Sequence, residues 1–214
     1  MDALGISPGN VAALIVAVSF AAGLNVYATV LTLGVLATMH WVMLPGSLEA
    51  LANPWIIGAS GVLFAGEFVM DKIPGIDLVW NALHTFVRIP VAGLLAYAAS
   101  SHLSPGLQVL ATCVGASLAM LAHGSKTALR TAVTPSPEPV SNIALSASED
   151  ALAVGLTWSA THHPLIAGGV TAVLAIGAVA ALMLSVRLLR RAWRKFFRRD
   201  VEVPEKDRRE LPGR

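Results

Sequence analysis

Taken as helices, in which residues three, four or seven apart share a face, the polar side chains of this chain fall into four stripes. Asn25, Thr29 and Thr32 make the first, with Tyr27 beside it; Glu67 and Asp71 make the second. His123, Lys126 and Arg130 make the third, and Asn142, Ser146, Glu149 and Asp150 the fourth. Carboxylate oxygens take protons or hard cations, whereas a Lys and Arg pair takes a phosphate or another anion. Acidic stripes facing a basic one therefore describe a site that holds or passes a small charged species.

The elements that must carry these stripes follow from composition. The chain has 214 residues, 55% hydrophobic and 13% charged, with a mean hydropathy of +0.68. That excludes an ordinary soluble domain and makes a bilayer the natural solvent. An ionised group at the bilayer centre costs at least about 2.5–3.5 kcal/mol, so such groups face one another or a water-filled cavity. The competing expectation places them at the interface, snorkelling into headgroups. Glu67 follows an apolar run and Glu149 sits deep in its segment, which favours the cavity.

Crossing about 30 Å of hydrocarbon takes about 20 helical residues. Six segments come close, at roughly 10–38, 55–72, 88–103, 106–132, 143–160 and 163–189, and the third and fifth are short enough to be tilted or broken. The first exceeds a signal-peptide core, so a retained membrane helix is expected. Of the 15 Lys and Arg, only Lys72, Arg88, Lys126 and Arg130 precede residue 187. The basic tail, with Lys72 and Arg88 flanking the second connection and Lys126 and Arg130 preceding the fourth, puts both termini in the cytoplasm of a bacterial inner membrane, in a multi-pass topology. The tail itself, from Arg187 to Arg199, interleaves cations with Leu, Trp and Phe. It is expected to bind anionic lipid headgroups rather than nucleic acid, as an amphipathic stretch that becomes disordered within 190–214.

The halves look related. Ala21-Ala-Gly-Leu-Asn-Val-Tyr-Ala-Thr29 can be laid on Ala122-His-Gly-Ser-Lys-Thr-Ala-Leu-Arg130, and each half continues with an acidic segment and a Pro-started one. Three spans per copy would make an inverted repeat, of about 10–103 and 106–189, within one transmembrane domain covering 1–189. The predicted fold is thus an all-α, polytopic bundle of six helices with short or broken members.

The string Glu67-Phe-Val-Met-Asp-Lys-Ile-Pro-Gly-Ile-Asp77, continuing to Arg88-Ile-Pro90, resembles an uncharacterised bacterial membrane family, domain of unknown function 4126. Gly23-Leu-Asn-Val-Tyr27 and Ser148-Glu-Asp150 share in the resemblance, which takes in residues from about 10 to 185 and excludes the tail. The family has no established activity, so the resemblance supports positions without naming a substrate. With it, the candidate binding set becomes Asn25, Tyr27, Glu67, Asp71, Lys72, Asp77, Arg88, His123, Lys126, Arg130, Asn142, Glu149 and Asp150.

Other chemistries find little purchase. Gly58-Ala-Ser-Gly61 with His123 resembles the serine and histidine of rhomboid-type intramembrane proteases, but small residues for helix packing explain the same string. His40, His84, His102, His162 and His163 lack helical ligand spacing, and no metal is assigned. Cys113 is expected to serve packing. No nucleotide-binding or dinucleotide motif is present, so neither a cofactor nor an enzyme is expected. The expectation is a transporter moving a small ion or charged solute, as a possible homo-oligomer. A membrane scaffold or a lipid-headgroup-binding protein is the alternative.

Overall fold

The computed structural model describes residues 7–73, 76–133 and 139–199 as an all-α bundle; within these, the side chains of Asp77 and Asn142 fall outside the description. Seven α-helices follow in order: α1 Pro8–Leu24, α2 Val26–Thr38, α3 Pro54–Met70, α4 Ile76–Ala99, α5 Pro105–Val133, α6 Pro139–His162 and α7 Pro164–Arg199. A 3-10 turn, Gly46–Ala52, precedes α3. Five of the seven open on proline, whose missing N–H is one the first turn cannot satisfy and whose fixed φ suits that position. Ser7 and Asn53 cap two of these starts, accepting from Asn10 N–H at 3.2 Å and Trp55 N–H at 2.9 Å.

Helix α1 is apolar on every face and is buried almost without interruption from Leu14 onward, as a helix at the centre of a bundle must be. It packs against α4, α5, α6 and α7. Small residues make this possible: a Cβ on Gly23 would lie 2.5 Å from the Ala119 carbonyl oxygen and 2.8 Å from the Ala122 Cβ, so α1 and α5 touch backbone to side chain there.

The outer surface is apolar and the interior charged. Trp55 is 85% exposed and Phe86 82%, whereas Arg88 and Arg130 are wholly buried and Lys126 is 1% exposed. That inversion of the soluble pattern fits hydrocarbon as the surrounding solvent. Three helices are long and apolar enough to cross a membrane, Val79–Ala99, Pro105–Arg130 and Pro164–Arg191. Shorter apolar helices are α1, α2 and α3.

Several expectations require correction. The first segment, read as one helix, is broken at Asn25, whose φ of −149° and ψ of 103° are extended. The third does not begin near Arg88: α4 starts at Ile76, runs 24 residues and carries Pro90 in its interior. The fifth is likewise not short, since α6 also has 24 residues. Arg88, expected to flank the second connection, and Lys126 and Arg130, expected to precede the fourth from within the fourth segment, are buried inside helices, so none of the three supports the orientation as a loop cation would. The tail begins as a direct continuation of α7, a helix of 36 residues and so about 54 Å at 1.5 Å per residue, well over the thickness of a bilayer core. Residues 200–214, within which the expected disorder of the tail would end, lie outside the described residues.

Gly23→Ala should lower the thermal midpoint of the purified protein by the equivalent of about 1–3 kcal/mol, because backbone rather than a flexible side chain blocks the new methyl. Gly66→Ala, at a position with nothing within 4 Å, is the matched control and should change little. Equal effects would contradict the close α1–α5 crossing.

Candidate functional site: a buried ion-pair network at a helix break

The break at Asn25 leaves two helix ends inside the molecule, the carboxyl end of α1 and the amino end of α2, with opposite partial charges of roughly half an elementary charge each. Asn25 manages the break itself. Its N–H still donates to Ala21 O at 2.9 Å, and its side-chain Oδ1 accepts from Ala28 N–H at 2.9 Å, capping α2. The amide NH2 is thereby turned outward and donates to Asp150 Oδ1 at 2.8 Å. Thr29 Oγ1 donates to the Asn25 carbonyl at 2.9 Å.

At the other end, the Lys126 ammonium donates to the Leu24 carbonyl at 3.1 Å. It also lies 2.9 Å from Asp71 Oδ2, 3.3 Å from Glu149 Oε2 and 3.4 Å from Glu67 Oε1. The negative end of α1 thus meets a cation, and the positive end of α2 meets Asp150 through Asn25. Each pairing is the favourable one.

Two guanidiniums extend the network. Arg130, one helical turn beyond Lys126 on α5, donates to Asp71 Oδ2 at 2.9 Å, to Glu149 Oε2 at 2.6 Å and to the Asp71 carbonyl at 3.1 Å. Asp71 is the C-cap of α3, so this arginine also serves a helix carboxyl end. Arg88, from the middle of α4, pairs with Glu67 and donates to Asn81 Oδ1 at 2.9 Å. It also lies 2.8 Å from His123 Nδ1. A guanidinium can only donate, so Nδ1 accepts and His123 carries its proton on Nε2, which bonds Thr85 Oγ1 at 2.8 Å.

Among the described residues, three cations and four carboxylates meet here, all at most 6% exposed. Removing one partner from so buried a set costs about 3–5 kcal/mol, because the others are left uncompensated. Some polar atoms find no partner: Glu67 Oε2, Glu149 Oε1, Asp150 Oδ2 and Ser146 Oγ are buried without a hydrogen bond.

Of the candidate set, Asn25, Glu67, Asp71, Arg88, His123, Lys126, Arg130, Glu149 and Asp150 come together. Tyr27 stands beside the network, edge-on to the His84 ring at 5.5 Å, and faces an apolar cavity of about 430 Å³ between α2, the 3-10 turn, α3 and α4. Lys72 is not drawn in: it donates to Phe68 O at 2.7 Å and lies over the Phe68 ring. Asp77 and Asn142 lie outside the described side chains.

Asn81 and Thr85 were missed. With Arg88 they recur at helical spacing, a signal that was present but fell in a segment read as a connection. The serine-protease pairing does not form: Ser60 Oγ donates to Ile56 O and Ile57 O in its own helix, while His123 is engaged by Arg88 and Thr85. Among the described residues no group of three or more His, Cys, Asp and Glu could hold a metal ion.

Nitrogen NMR of ring-labelled protein should find His123 protonated on Nε2, and Arg88→Met should release that tautomer. A ring protonated on Nδ1 in the parent would contradict the Arg88 contact.

Neither the curated proteins nor the solved structures contain a significant match to this chain. A family model does match, over residues 12–184, and spans every residue of the network. The chain therefore belongs to the family described as Domain of unknown function (DUF4126).

Proposed function

We propose that the protein is a transporter-like membrane protein that moves a small ion or charged solute through the polar layer between its two halves. One observation carries this reading: a discontinuous helix whose facing ends are held by oppositely charged side chains from the second half of the chain. Interrupted helices with buried ionisable partners recur at the binding sites of secondary transporters, where they supply partial charges and an element that can move. Glu149, Asp150 and Arg88 fall near the middle of their helices, which supports a midplane depth.

The same proposal has six spans in two inverted copies, with α1 and α2 together as the first and both termini in the cytoplasm of an inner membrane. The mutual packing of α1 and α5, the first helices of each copy, supports the repeat. The copies have diverged, since α5 runs unbroken where α1 is interrupted.

A second reading, an anionic-lipid-binding membrane protein, has its own support. Arg187, Arg190, Arg191 and Arg194 project exposed from the far end of α7, where a cytoplasmic leaflet would attract them by about 1 kcal/mol per cation.

Flux in proteoliposomes across a panel of monovalent cations, anions and soluble phosphates discriminates these. Transport predicts flux for the parent and background flux for a Glu67→Gln and Glu149→Gln double variant that remains monodisperse. Unchanged flux in that variant would remove the network from the pathway.

A further inference from the structure

The network is unequal in one place. Glu67 pairs with Arg88 and Lys126, while Asp71 and Glu149 each pair with Lys126 and Arg130. Asp150, 6% exposed, has no cation within 4 Å among the described residues; its Oδ1 rests on the Asn25 amide and its Oδ2 has no hydrogen-bond partner. One turn earlier on the same face of α6, the wholly buried Ser146 Oγ is also unpartnered.

We propose that Asp150 is a proton-binding site, and that the proton is the ion this protein moves or is driven by. The proposal rests on the transport reading for its role, but not for the site itself. Among the described, buried side chains of the network, four carboxylates face three cations, and a proton on Asp150 evens that set without a further ligand. A metal cation would need several further oxygen ligands in a fixed arrangement, whereas a proton needs one oxygen. The step is a simple exchange: water on one side protonates the carboxylate, the neutral acid gives the proton up to water on the other, and no electrons move.

The surroundings connect that exchange to the helix break. From the α1–α2 junction Asp150 meets Asn25; from α3, Glu67 and Asp71 act on it through space, and so does Lys72 just beyond. From α5 the acting charge is Lys126, and on α6 itself Glu149 adjoins. The described arginines of α7, from Arg187 to Arg194, are exposed at its far end. Asn25 cannot flip without abandoning the α2 cap, so its NH2 always points at Asp150. A hydrogen bond to a carboxylate is roughly twice as strong as one to a neutral acid. Protonation therefore loosens the tie between α6 and the start of α2, the place where the helix is already broken.

The test uses the full chain in lipid and two readouts. Infrared titration should find a protonated carboxyl band that disappears on alkalinisation, is lost in Asp150→Asn, and persists in Asp150→Glu and in Glu149→Gln. Proton flux into vesicles containing a trapped pH dye, driven by a potassium diffusion potential, should fall to the protein-free background in Asp150→Asn, because a relay needs a titratable carboxylate there. A band retained in a folded Asp150→Asn variant overturns the proposal, whatever the flux. A band displaced by sodium at constant pH overturns it too, making the site one for a metal cation. Loss of the band in Asp150→Asn with no proton flux in the parent upholds the binding site and overturns the proton as an ion that the protein moves on its own.

Discussion

The Lys126 ammonium is the contact on which the other features of the interior depend. An isolated ammonium among apolar helices costs several kcal/mol after relaxation. Lys126 is tolerable only because the Leu24 carbonyl, Glu67, Asp71 and Glu149 surround it. Those carboxylates in turn need Arg88 and Arg130, and Arg88 needs Asn81 and His123. A chain of obligations thus draws α3, α4, α5 and α6 onto the break between α1 and α2. Without the break, Leu24 O would be spent inside a continuous helix and the ammonium would lose its one uncharged acceptor.

This arrangement reconciles an apolar exterior with a charged centre. The large exposed side chains, Trp55, Phe86 and Ile176 among them, suit contact with lipid. Close packing comes instead from alanine and glycine, above all where Gly23 meets Ala119. Replacing buried ion pairs with apolar groups is often neutral or stabilising. Retaining seven charged side chains at such cost argues that the network does something other than hold the helices together.

Much of this was legible in the sequence, for a physical reason. Helical spacing alone grouped Glu67 with Asp71, Lys126 with Arg130, and Glu149 with Asp150, because ionised groups in an apolar chain must share a face. What spacing could not give was the partner across the bundle. Pro90 has the look of a helix start, which sets Arg88 at the edge of a connection, although an interior proline is accommodated in α4 and Arg88 lies at its middle. Hydropathy ran smoothly through residues 10–38, so the break at Asn25 left no apolar signature; only the side chain that caps α2 marks it. The longer α7 was hidden likewise, because a basic amphipathic stretch reads the same whether it lies on a membrane or continues a helix out of it.

The most direct test of this account is a thermodynamic cycle on the reconstituted protein with Lys126→Met, Glu149→Gln and both together. If the network is one coupled unit, the lysine variant should lose about 3–5 kcal/mol. The double variant should be less destabilised than the sum of the singles by at least about 1 kcal/mol, since removing an acid relieves the charge that the missing lysine leaves behind. Additivity within about 0.5 kcal/mol would mean that these residues do not act on each other, and the buried network would not be what holds the helix break.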